Sequence, residues 1–246
     1  MILSAIRNVT RPTRRRIAKL IFDFPEEWDH AAAQRYEIDE ARKYIARTYP
    51  AVRNGREDAG LPFEVSDQWF CGNAELFAEF AKGIEAKRCL EVGSGPFGAL
   101  APNPVLRDRT IIDPLAEHYR DIQLALFGTT FFTPDIRLYA RPAEQQVPEL
   151  VNAVDGFIIC RNCIDHCADP LTILYNISLY GRSGCWFLFW SDLWHSTTPD
   201  AGHRNITRTP EVIEALIKGL GFDVLQVGKT IRESESIEYG CVARKR

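Results

Sequence analysis

Residues 89–98 read Cys-Leu-Glu-Val-Gly-Ser-Gly-Pro-Phe-Gly, so a short apolar run passes directly into a glycine-rich turn. The glycines at 93, 95 and 98 permit a tight turn and a close approach of the backbone to a ligand, and a helix after the turn would present free N–H groups to an anion. Asp113 ends the next apolar run, 20 residues after Gly93, where a carboxylate can accept hydrogen bonds from both ribose hydroxyls of a nucleoside. The turn and the acid together predict a site for a nucleoside-containing cofactor.

Apolar runs alternate with helical patterns from residue 88 onward. Strands are predicted over 88–92, 110–112, 136–139, 156–160, 185–190, 222–227 and 238–242, and helices over 115–127, 142–151, 166–180 and 209–220. The last two strands are too close in sequence for a crossover helix and should form an antiparallel hairpin. The pattern therefore predicts an α/β fold, with a Rossmann-like, mostly parallel seven-stranded sheet and an antiparallel terminal hairpin.

An N-terminal helical segment precedes this pattern. A helix is predicted from Pro25 to about Tyr49 and ends at Pro50, and a second helix is predicted to begin at Ser66. We expect residues 1–85 to form a basic arm and a helical cap over the cofactor site, and residues 86–246 to form the cofactor-binding domain.

The basic arm comprises residues 1–22, which contain six arginines and lysines and no carboxylate, so the remaining chain carries 24 − 33 = −9. Three interpretations stay open: an organelle transit peptide, a weak contact with an anionic membrane surface, and a solvated helix that packs on the acidic body.

The overall composition narrows the possible functions. The chain has 246 residues, is 46% hydrophobic and carries a net charge of −3, which excludes a disordered or fibrous chain and gives no general case for nucleic-acid binding. No apolar run approaches the roughly 20 residues of a membrane-spanning helix. The odd count of seven cysteines favours a reducing compartment, and we expect a cytoplasmic protein.

Two cofactors fit a glycine turn of this kind: a dinucleotide and S-adenosylmethionine. Glu91 lies two residues before the first glycine, where its carboxylate suits a ligand with an ammonium group better than a pyrophosphate. Glu91 therefore favours S-adenosylmethionine.

Residues 91–98 resemble the first motif of the class I S-adenosylmethionine-dependent methyltransferases. Later segments are similar to that family in order and spacing: Ile111-Ile112-Asp113-Pro114-Leu115, Arg141-Pro142-Ala143-Glu144, the stretch 155–170 and the terminal hairpin. One departure is that Pro102 and Pro104 shorten the predicted helix after the glycine turn, which would make the seat of the methionine moiety unusual.

The resemblance implies a role for each matching position. The backbone at 93–95 would line the methionine moiety and Glu91 would reach its amino group. Asp113 would hold the ribose, Leu115 would cover the adenine, and Glu144 or the backbone of Ala143 would contact the adenine edge. Residues around Asn162 would face the transferred methyl group. The predicted cofactor-binding residues are Glu91, Gly93, Ser94, Gly95, Asp113, Pro114, Leu115, Ala143, Glu144, Arg161 and Asn162.

The cysteine-rich segment 160–167 offers a competing interpretation as a metal site. Cys160, Cys163, His166 and Cys167 fall within eight residues, but no second cysteine pair lies nearby to complete a tetrahedral site. We predict that these cysteines are structural and that the protein holds no metal.

Candidate proton acceptors follow the fourth and fifth predicted strands. Methyl transfer needs a base only if the acceptor must lose a proton. We predict His166, His203 and Asp165 as catalytic residues, ahead of His195, and expect Trp194 in the polar loop 191–209 to lie near the substrate. Trp186 and Trp190 alternate with Leu188 on one strand face, which is typical of a core.

The sequence thus predicts methyl transfer from S-adenosylmethionine to a small or medium-sized acceptor, at oxygen or nitrogen. We expect no nucleic-acid partner, because the body is acidic. Two alternatives stay open: a nicotinamide-dependent oxidoreductase, and a regulatory protein that binds the cofactor without turnover.

Overall fold

The computed structural model describes residues 13, 17, 21–22, 29–54, 69–195, 202–231 and 236–246. Its seven strands are β1 (Arg88–Val92), β2 (Asp108–Ile112), β3 (Arg137–Tyr139), β4 (Phe157–Arg161), β5 (Trp186–Trp194), β6 (Phe222–Ile231) and β7 (Ile237–Lys245). The α-helices within these ranges are α1 (His30–Arg53), α2 (Ala74–Ala81), α3 (Ala116–Phe127), α4 (Pro170–Tyr180) and α5 (Pro210–Gly219).

The strands form one sheet in the order β3-β2-β1-β4-β5-β7-β6. The first five strands are parallel, and β7 pairs antiparallel with both β5 and β6. This arrangement confirms the predicted fold class. The strand order reverses beside β1, and open α/β sheets bind their ligands at the carboxyl ends of the strands next to such a reversal.

Apolar side chains cover both faces of the sheet. Along β1, Leu90 and Val92 face one core together with α4 and α5, whereas Cys89 faces the other core together with α1, α2 and α3. Strands buried on both sides explain the nearly continuous apolar runs in the sequence. Trp186 and Leu188 are buried in the second core and Trp190 packs against it, as predicted.

Several predicted helix boundaries are wrong. Residues 142–151 hold only a three-residue 3-10 turn at Pro148–Leu150. Helix α4 begins at Pro170, not at 166, because Asp169 caps it by accepting a hydrogen bond from the Thr172 amide at 3.0 Å. Helix α1 continues past Pro50 to Arg53, since a proline so near the end of a helix removes only one backbone hydrogen bond.

The second N-terminal helix is interrupted. Cys71 and Gly72 have φ values of 48° and 74°, which break the helical path. Helix α2 then starts afresh after Asn73, whose side chain accepts a hydrogen bond from the Leu76 amide at 3.1 Å. The predicted helix starts at Pro25 and Ser66 lie outside the described residues.

No helix follows the glycine turn within residues 93–107, contrary to the expectation that one would offer N–H groups to an anion. These residues form turns, and the stretch from Ala99 to Ala101 is buried. Buried backbone groups need hydrogen-bond partners, and side chains of β1 and β2 supply them. The Glu91 carboxylate accepts from the amides of Ala99 and Leu100 at 2.7 and 3.0 Å.

Arg109 completes this scaffold from the neighbouring strand β2. Its buried guanidinium donates to the carbonyls of Leu100, Ala101 and Asn103 at 3.3, 2.9 and 3.2 Å. The same side chain pairs with Asp135. The Glu91 carboxylate and the Arg109 guanidinium therefore bind loop amides and carbonyls that, in a helix, would have been hydrogen-bonded to one another.

Helix α1 packs across α3 and covers the carboxyl edge of the sheet. The Tyr49 ring stacks on Phe127 with centroids 4.4 Å apart, and its hydroxyl lies 2.7 Å from the Thr129 hydroxyl. The division of the chain at residue 85 into a cap and a cofactor-binding domain stays a prediction.

The basic arm falls almost wholly outside the described residues. At its end, Phe22 is buried, and Ile17 and Ile21 pack against the same core as α4 and α5. The three interpretations of the arm stay predictions. In the part of the chain that the structure describes, no helix combines the length and apolarity needed to cross a membrane.

We expect Glu91→Ala to lower the free energy of unfolding by about 3 kcal/mol, because each buried amide left without an acceptor costs about 1–3 kcal/mol. Urea denaturation measures this change. The control is Glu85→Ala, which removes an exposed carboxylate just before β1 and should cost less than about 0.5 kcal/mol. Equal stability of the two variants would contradict the role of Glu91.

Candidate active site

A cleft opens at the carboxyl ends of β1, β2 and β4, beneath α1. Eight of the eleven residues predicted to bind a cofactor line it: Gly93, Gly95, Asp113, Pro114, Leu115, Ala143, Glu144 and Asn162. Ser94 and Arg161 line an adjoining opening that shares Gly93, Gly95 and Asn162 with the cleft. The structure therefore brings ten of the eleven residues to one edge of the sheet.

The glycine turn requires glycine at its first position. Gly93 has a φ of 73°, and its amide donates to the Ile112 carbonyl at 2.9 Å, which joins the turn to β2. A Cβ atom on Gly93 would lie 2.5 Å from the Sγ atom of Cys163. The backbone after β1 and the loop after β4 thus meet in direct contact at the floor of the cleft.

Asp113 occupies the end of β2 in a fixed orientation. Its Oδ2 accepts from the Gly95 amide at 2.9 Å and from the Ser94 hydroxyl at 3.2 Å, and its Oδ1 accepts from the Leu115 amide at 2.8 Å. Burial raises the pKa of Asp113, and the hydrogen bonds from Leu115 and Gly95 oppose that rise. Asp113 also lines the cleft, so its carboxylate faces the space where ligand hydroxyls would lie.

Glu91 is the exception among the predicted residues. Both of its oxygens accept from loop amides, as described above, and a Cβ atom on Gly98 would lie 2.7 Å from its Oε2. Burial raises the pKa of Glu91 to about 7, although the amides of Leu100 and Ala99 favour the charged form. Glu91 thus contacts the loop and is not among the residues that line the cleft, and its predicted contact with a ligand's amino group stays a prediction.

The wall opposite the glycine turn is formed by Ala143 and Glu144. The Ala143 carbonyl accepts from the Asn176 side chain at 2.8 Å, and Glu144 Oε1 accepts from the amides of Ala168 and Asp169 at 2.9 and 3.2 Å. These bonds join the segment after β3 to the start of α4. Glu144 keeps acceptor positions on its second oxygen, so the wall can meet an adenine edge as the resemblance implies.

Asn162 directly follows β4 with a φ of 43°, an uncommon value outside glycine. Its amide donates to the Trp190 carbonyl at 2.8 Å, and its Nδ2 lies 3.4 Å from Asp192 Oδ2. The left-handed turn leads into Cys163 and His166, which line the cleft.

A cluster of histidines and carboxylates lies at one end of the cleft. His195 Nε2 is 3.0 Å from Asp165 Oδ2, and His166 Nε2 is 3.5 Å from the same atom. His166 Nδ1 is 3.1 Å from Glu37 Oε1 of α1. The His203 ring lies between the other two, with centroids 4.3 Å from His166 and 4.6 Å from His195.

Asp165 is the buried centre of this histidine–carboxylate cluster, which we define as Glu37, Asp165, His166, His195 and His203. Burial alone would raise the pKa of Asp165, but His166 and His195 outweigh it and lower that pKa. Burial alone would lower the pKa of His195, but the hydrogen bond and charge of Asp165 raise it. The Ser191 hydroxyl donates to Asp165 Oδ1 at 3.2 Å.

The three predicted catalytic residues therefore lie together, although no finding tests their catalytic role. His195, which the sequence analysis ranked last, makes the shortest contact with Asp165. Trp194 has the Arg208 guanidinium 4.0 Å above its ring, and its predicted place near a substrate stays a prediction.

The cysteines of segment 160–167 remain free thiols, and Cys160 and Cys167 are buried. A hydrogen bond with Cys160 and burial raise the pKa of the Cys163 thiol, and burial raises that of Cys167. Within the described residues, the groupings with metal-ligand geometry contain no cysteine. Buried free thiols pack as small apolar groups, and the structural role of these cysteines stays a prediction.

The sequence analysis predicted a helical cap over the cofactor site but identified none of the α1 residues that line the cleft. Ala33, Gln34 and Glu37 line the cleft from this helix. Residues three and four positions apart share one helix face, so a carboxylate on the face that also carries Ala33 and Ala41 was the available signal.

Comparison with known proteins supports the fold. No protein-family model and no curated protein matches the sequence. Among solved structures, the (4+2)-cyclase SpnF is similar with a TM-score of 0.57 and 14% identity over 89% of this chain and 96% of that one. A putative sarcosine dimethylglycine methyltransferase from Galdieria sulphuraria gives 0.55 and 11% over 70% and 82% of the two chains.

A phosphoethanolamine N-methyltransferase 2 from Haemonchus contortus gives a TM-score of 0.51 and 14% identity, over 79% of this chain and 59% of that one. Nearly all the similar structures are class I S-adenosylmethionine-dependent methyltransferases. The chain therefore has the Rossmann-like fold of these enzymes, as the resemblance of residues 91–98 implied.

We expect Gly93→Ala to cost about 2–4 kcal/mol of stability, because it combines backbone strain with a clash against Cys163. Gly128→Ala is the matched control, since Gly128 has a φ of 68° and nothing within 4 Å of the added Cβ. Adding Cys163→Gly to Gly93→Ala should recover about 1–2 kcal/mol in a double-mutant cycle followed by urea denaturation. No recovery would contradict the contact.

We expect the His195 ring to titrate above its ordinary pKa of 6.5, and Asp165→Asn to lower that pKa, as NMR titration of the ring protons would show. Because the folded-state pKa is raised, the stability that His195 contributes is full below pH 6.5 and is lost as the pH rises through the folded value. Asp165 contributes above its ordinary pKa of 3.8, and loses that contribution as the pH falls through its lowered value. An unchanged His195 titration in the variant would contradict the pair.

Proposed function

We propose that this protein is an S-adenosylmethionine-dependent methyltransferase that acts on a small-molecule acceptor. The observation that carries the proposal is the Asp113 carboxylate, held at the end of β2 by the glycine turn, in a cleft that continues to the histidine–carboxylate cluster. A ribose on Asp113 and an adenine against Leu115 and Ala143 would leave the sulfonium directed toward Asn162 and His166.

The local structure after β1 favours S-adenosylmethionine over a dinucleotide. A dinucleotide pyrophosphate is bound by the N-terminus of a helix that follows the glycine turn. The described residues 93–107 contain no helix, so that anion site is missing here. The absence of this helix, and not the charge of Glu91, therefore favours S-adenosylmethionine.

Methyl transfer from a sulfonium is an in-line displacement, so holding the donor and the acceptor in one line supplies most of the rate. In the proposed reaction the acceptor atom attacks the methyl carbon while the carbon–sulfur bond breaks, and S-adenosylhomocysteine leaves. The proton that the acceptor loses passes to the imidazole of His166 or of His195. Positioning is the task of the cleft walls, which come from α1, the glycine turn and the loop after β4.

The cover that α1 forms over the cleft supports a small acceptor. Ala33, Gln34 and Glu37 line the same cleft as Asp113, so α1 would restrict the access of a polymer to this site. Two of the similar structures carry names that refer to small amine-containing substrates, and the chain as a whole is acidic. Oxygen and nitrogen acceptors both fit these observations, and the cytoplasmic location stays a prediction.

We expect wild-type protein to bind S-adenosylhomocysteine in the micromolar range and NAD far more weakly, as measured by calorimetry. Asp113→Ala should weaken binding about 10–100-fold, because it removes charge-assisted hydrogen bonds to the ribose. Asp121→Ala, which removes an exposed carboxylate on α3, is the control and should bind as the wild type does. Preference for NAD would contradict the proposal.

Turnover needs a separate test, because the similar structures include a cyclase. Purified protein would be incubated with methyl-labelled S-adenosylmethionine and pools of small hydroxyl and amine compounds. Labelled product that is lost in Asp113→Ala is the expected result. Tight cofactor binding without transfer to any pool would favour the non-catalytic alternative.

A further inference from the structure

Three segments that are far apart in sequence bring two imidazoles and a carboxylate to one point of the cleft. Glu37 comes from α1, His166 from the turn after β4, and His203 from the segment after β5. One ligand atom from each of the three lies within 4.8 Å of the other two. Three groups so disposed can coordinate a single ion between them.

We propose that Glu37, His166 and His203 form a binding site for a divalent transition-metal ion at the methyl-transfer end of the cleft. Two neutral imidazoles and a carboxylate are the donor set of Zn²⁺ and Fe²⁺ sites that keep open coordination positions. This site shares only His166 with the cysteine-rich segment that the sequence analysis considered, and it contains no cysteine. It also differs from the sequence prediction, which expected no metal.

Buried Asp165 lies where it could accept a hydrogen bond from one of the ligand histidines once the ion is bound. A histidine that ligates a metal with one ring nitrogen usually donates its other N–H to a carboxylate, which fixes the ring. His166 faces Glu37 through Nδ1 at 3.1 Å and Asp165 through Nε2 at 3.5 Å. One ring nitrogen of His166 therefore faces Glu37, a proposed ligand of the same ion, and the other faces the carboxylate of Asp165.

A second grouping shares His203 and consists of Asp165, His195 and His203. We assign the metal to the first grouping for two reasons. Asp165 is fully buried and already accepts from Ser191 and contacts His195, which leaves no open side for a substrate. Glu37 and His166 instead line the same cleft as Asp113, so open coordination positions would face the acceptor.

The packing of α1 fits a ligand role for Glu37. Gly202, the residue before His203, lies so close to the Glu37 carboxylate that an added Cβ would overlap Oε1. Glycine at 202 thus lets the helix and the loop approach closely enough for both ligands to reach one ion. Gly202→Ala would displace Glu37 while leaving all three ligand side chains in the sequence.

A bound metal would narrow the chemical class of the methyl acceptor. This consequence rests on the proposed function, whereas the binding of the metal does not rest on it. A hydroxyl bound to a divalent ion loses its proton at a lower pH, so the acceptor oxygen becomes a better nucleophile. The acceptor class is then a small molecule whose hydroxyl lies beside a second oxygen, so that both can bind the ion. The released proton would pass to the nearby His195–Asp165 pair.

The test is titration of tag-free, chelator-treated protein with Co²⁺, followed by visible absorption, and with Zn²⁺, followed by calorimetry. We expect one equivalent to bind in the micromolar range or tighter. Glu37→Gln and His203→Ala should each weaken binding at least about 100-fold, and Gly202→Ala and Asp165→Asn about 10–100-fold. His118→Ala, which removes an exposed histidine outside the cluster, should bind as the wild type does.

Two results would overturn the proposal. One is wild-type protein that binds neither ion in the micromolar range. The other is binding that Asp165→Asn and His195→Asn abolish while Glu37→Gln leaves it unchanged, which would place the ion in the buried grouping. Circular dichroism of each variant shows whether it is folded. Calorimetry with S-adenosylhomocysteine in the absence of metal tests the proposed function separately, so the failure of either proposal is distinguishable from that of the other.

Discussion

The hydrogen bonds between the Glu91 carboxylate and the amides of Ala99 and Leu100 are the interaction on which the rest of the site depends. They fix a buried loop that has no helical ladder of its own, and Arg109 holds the carbonyl side of the same loop. The glycine turn, Phe97 and the surface under α1 all belong to this loop. A carboxyl group is costly to bury, and here the hydrogen bonds from the buried amides of Ala99 and Leu100 offset that cost.

The position of this loop determines the geometry of the rest of the cleft. Asp113 accepts from Gly95 and so takes its orientation from the turn, and the close contact of Gly93 with Cys163 sets the position of the loop after β4. That second loop carries Asp165 and His166. Helix α1 packs on Phe97 through Tyr44, with ring centroids 5.5 Å apart, and brings Glu37 to His166. The imidazoles of His166 and His203 have two proposed uses, as proton acceptors and as metal ligands. These uses compete, since a nitrogen that ligates an ion cannot also take a proton.

Much of the fold could be predicted because its signals are local. Buried parallel strands give continuous apolar runs, and the short span between β6 and β7 requires a hairpin. The glycine turn and Asp113 could be paired because their spacing reflects one strand–loop–strand unit. Helix 142–151 and the helix after the glycine turn were wrongly predicted, since in both segments prolines and buried turn contacts prevail over an apolar periodicity that resembles a helix. The place of Glu37 beside His166 and the contact of His195 with Asp165 depend on tertiary contacts between distant segments, which no local pattern records. The contacts of Glu91 with Ala99 and Leu100 depend on a loop that has no regular secondary structure to predict.

The measurement that tests this account most directly is a crystal structure of the protein with S-adenosylhomocysteine bound. We expect ribose hydroxyls on the Asp113 carboxylate, adenine between Leu115 and the Ala143–Glu144 segment, and the sulfur directed toward His166. Glu91 should remain on the loop amides and make no contact with the ligand. A nucleoside bound elsewhere, or one that draws Glu91 out of the loop, would contradict the account.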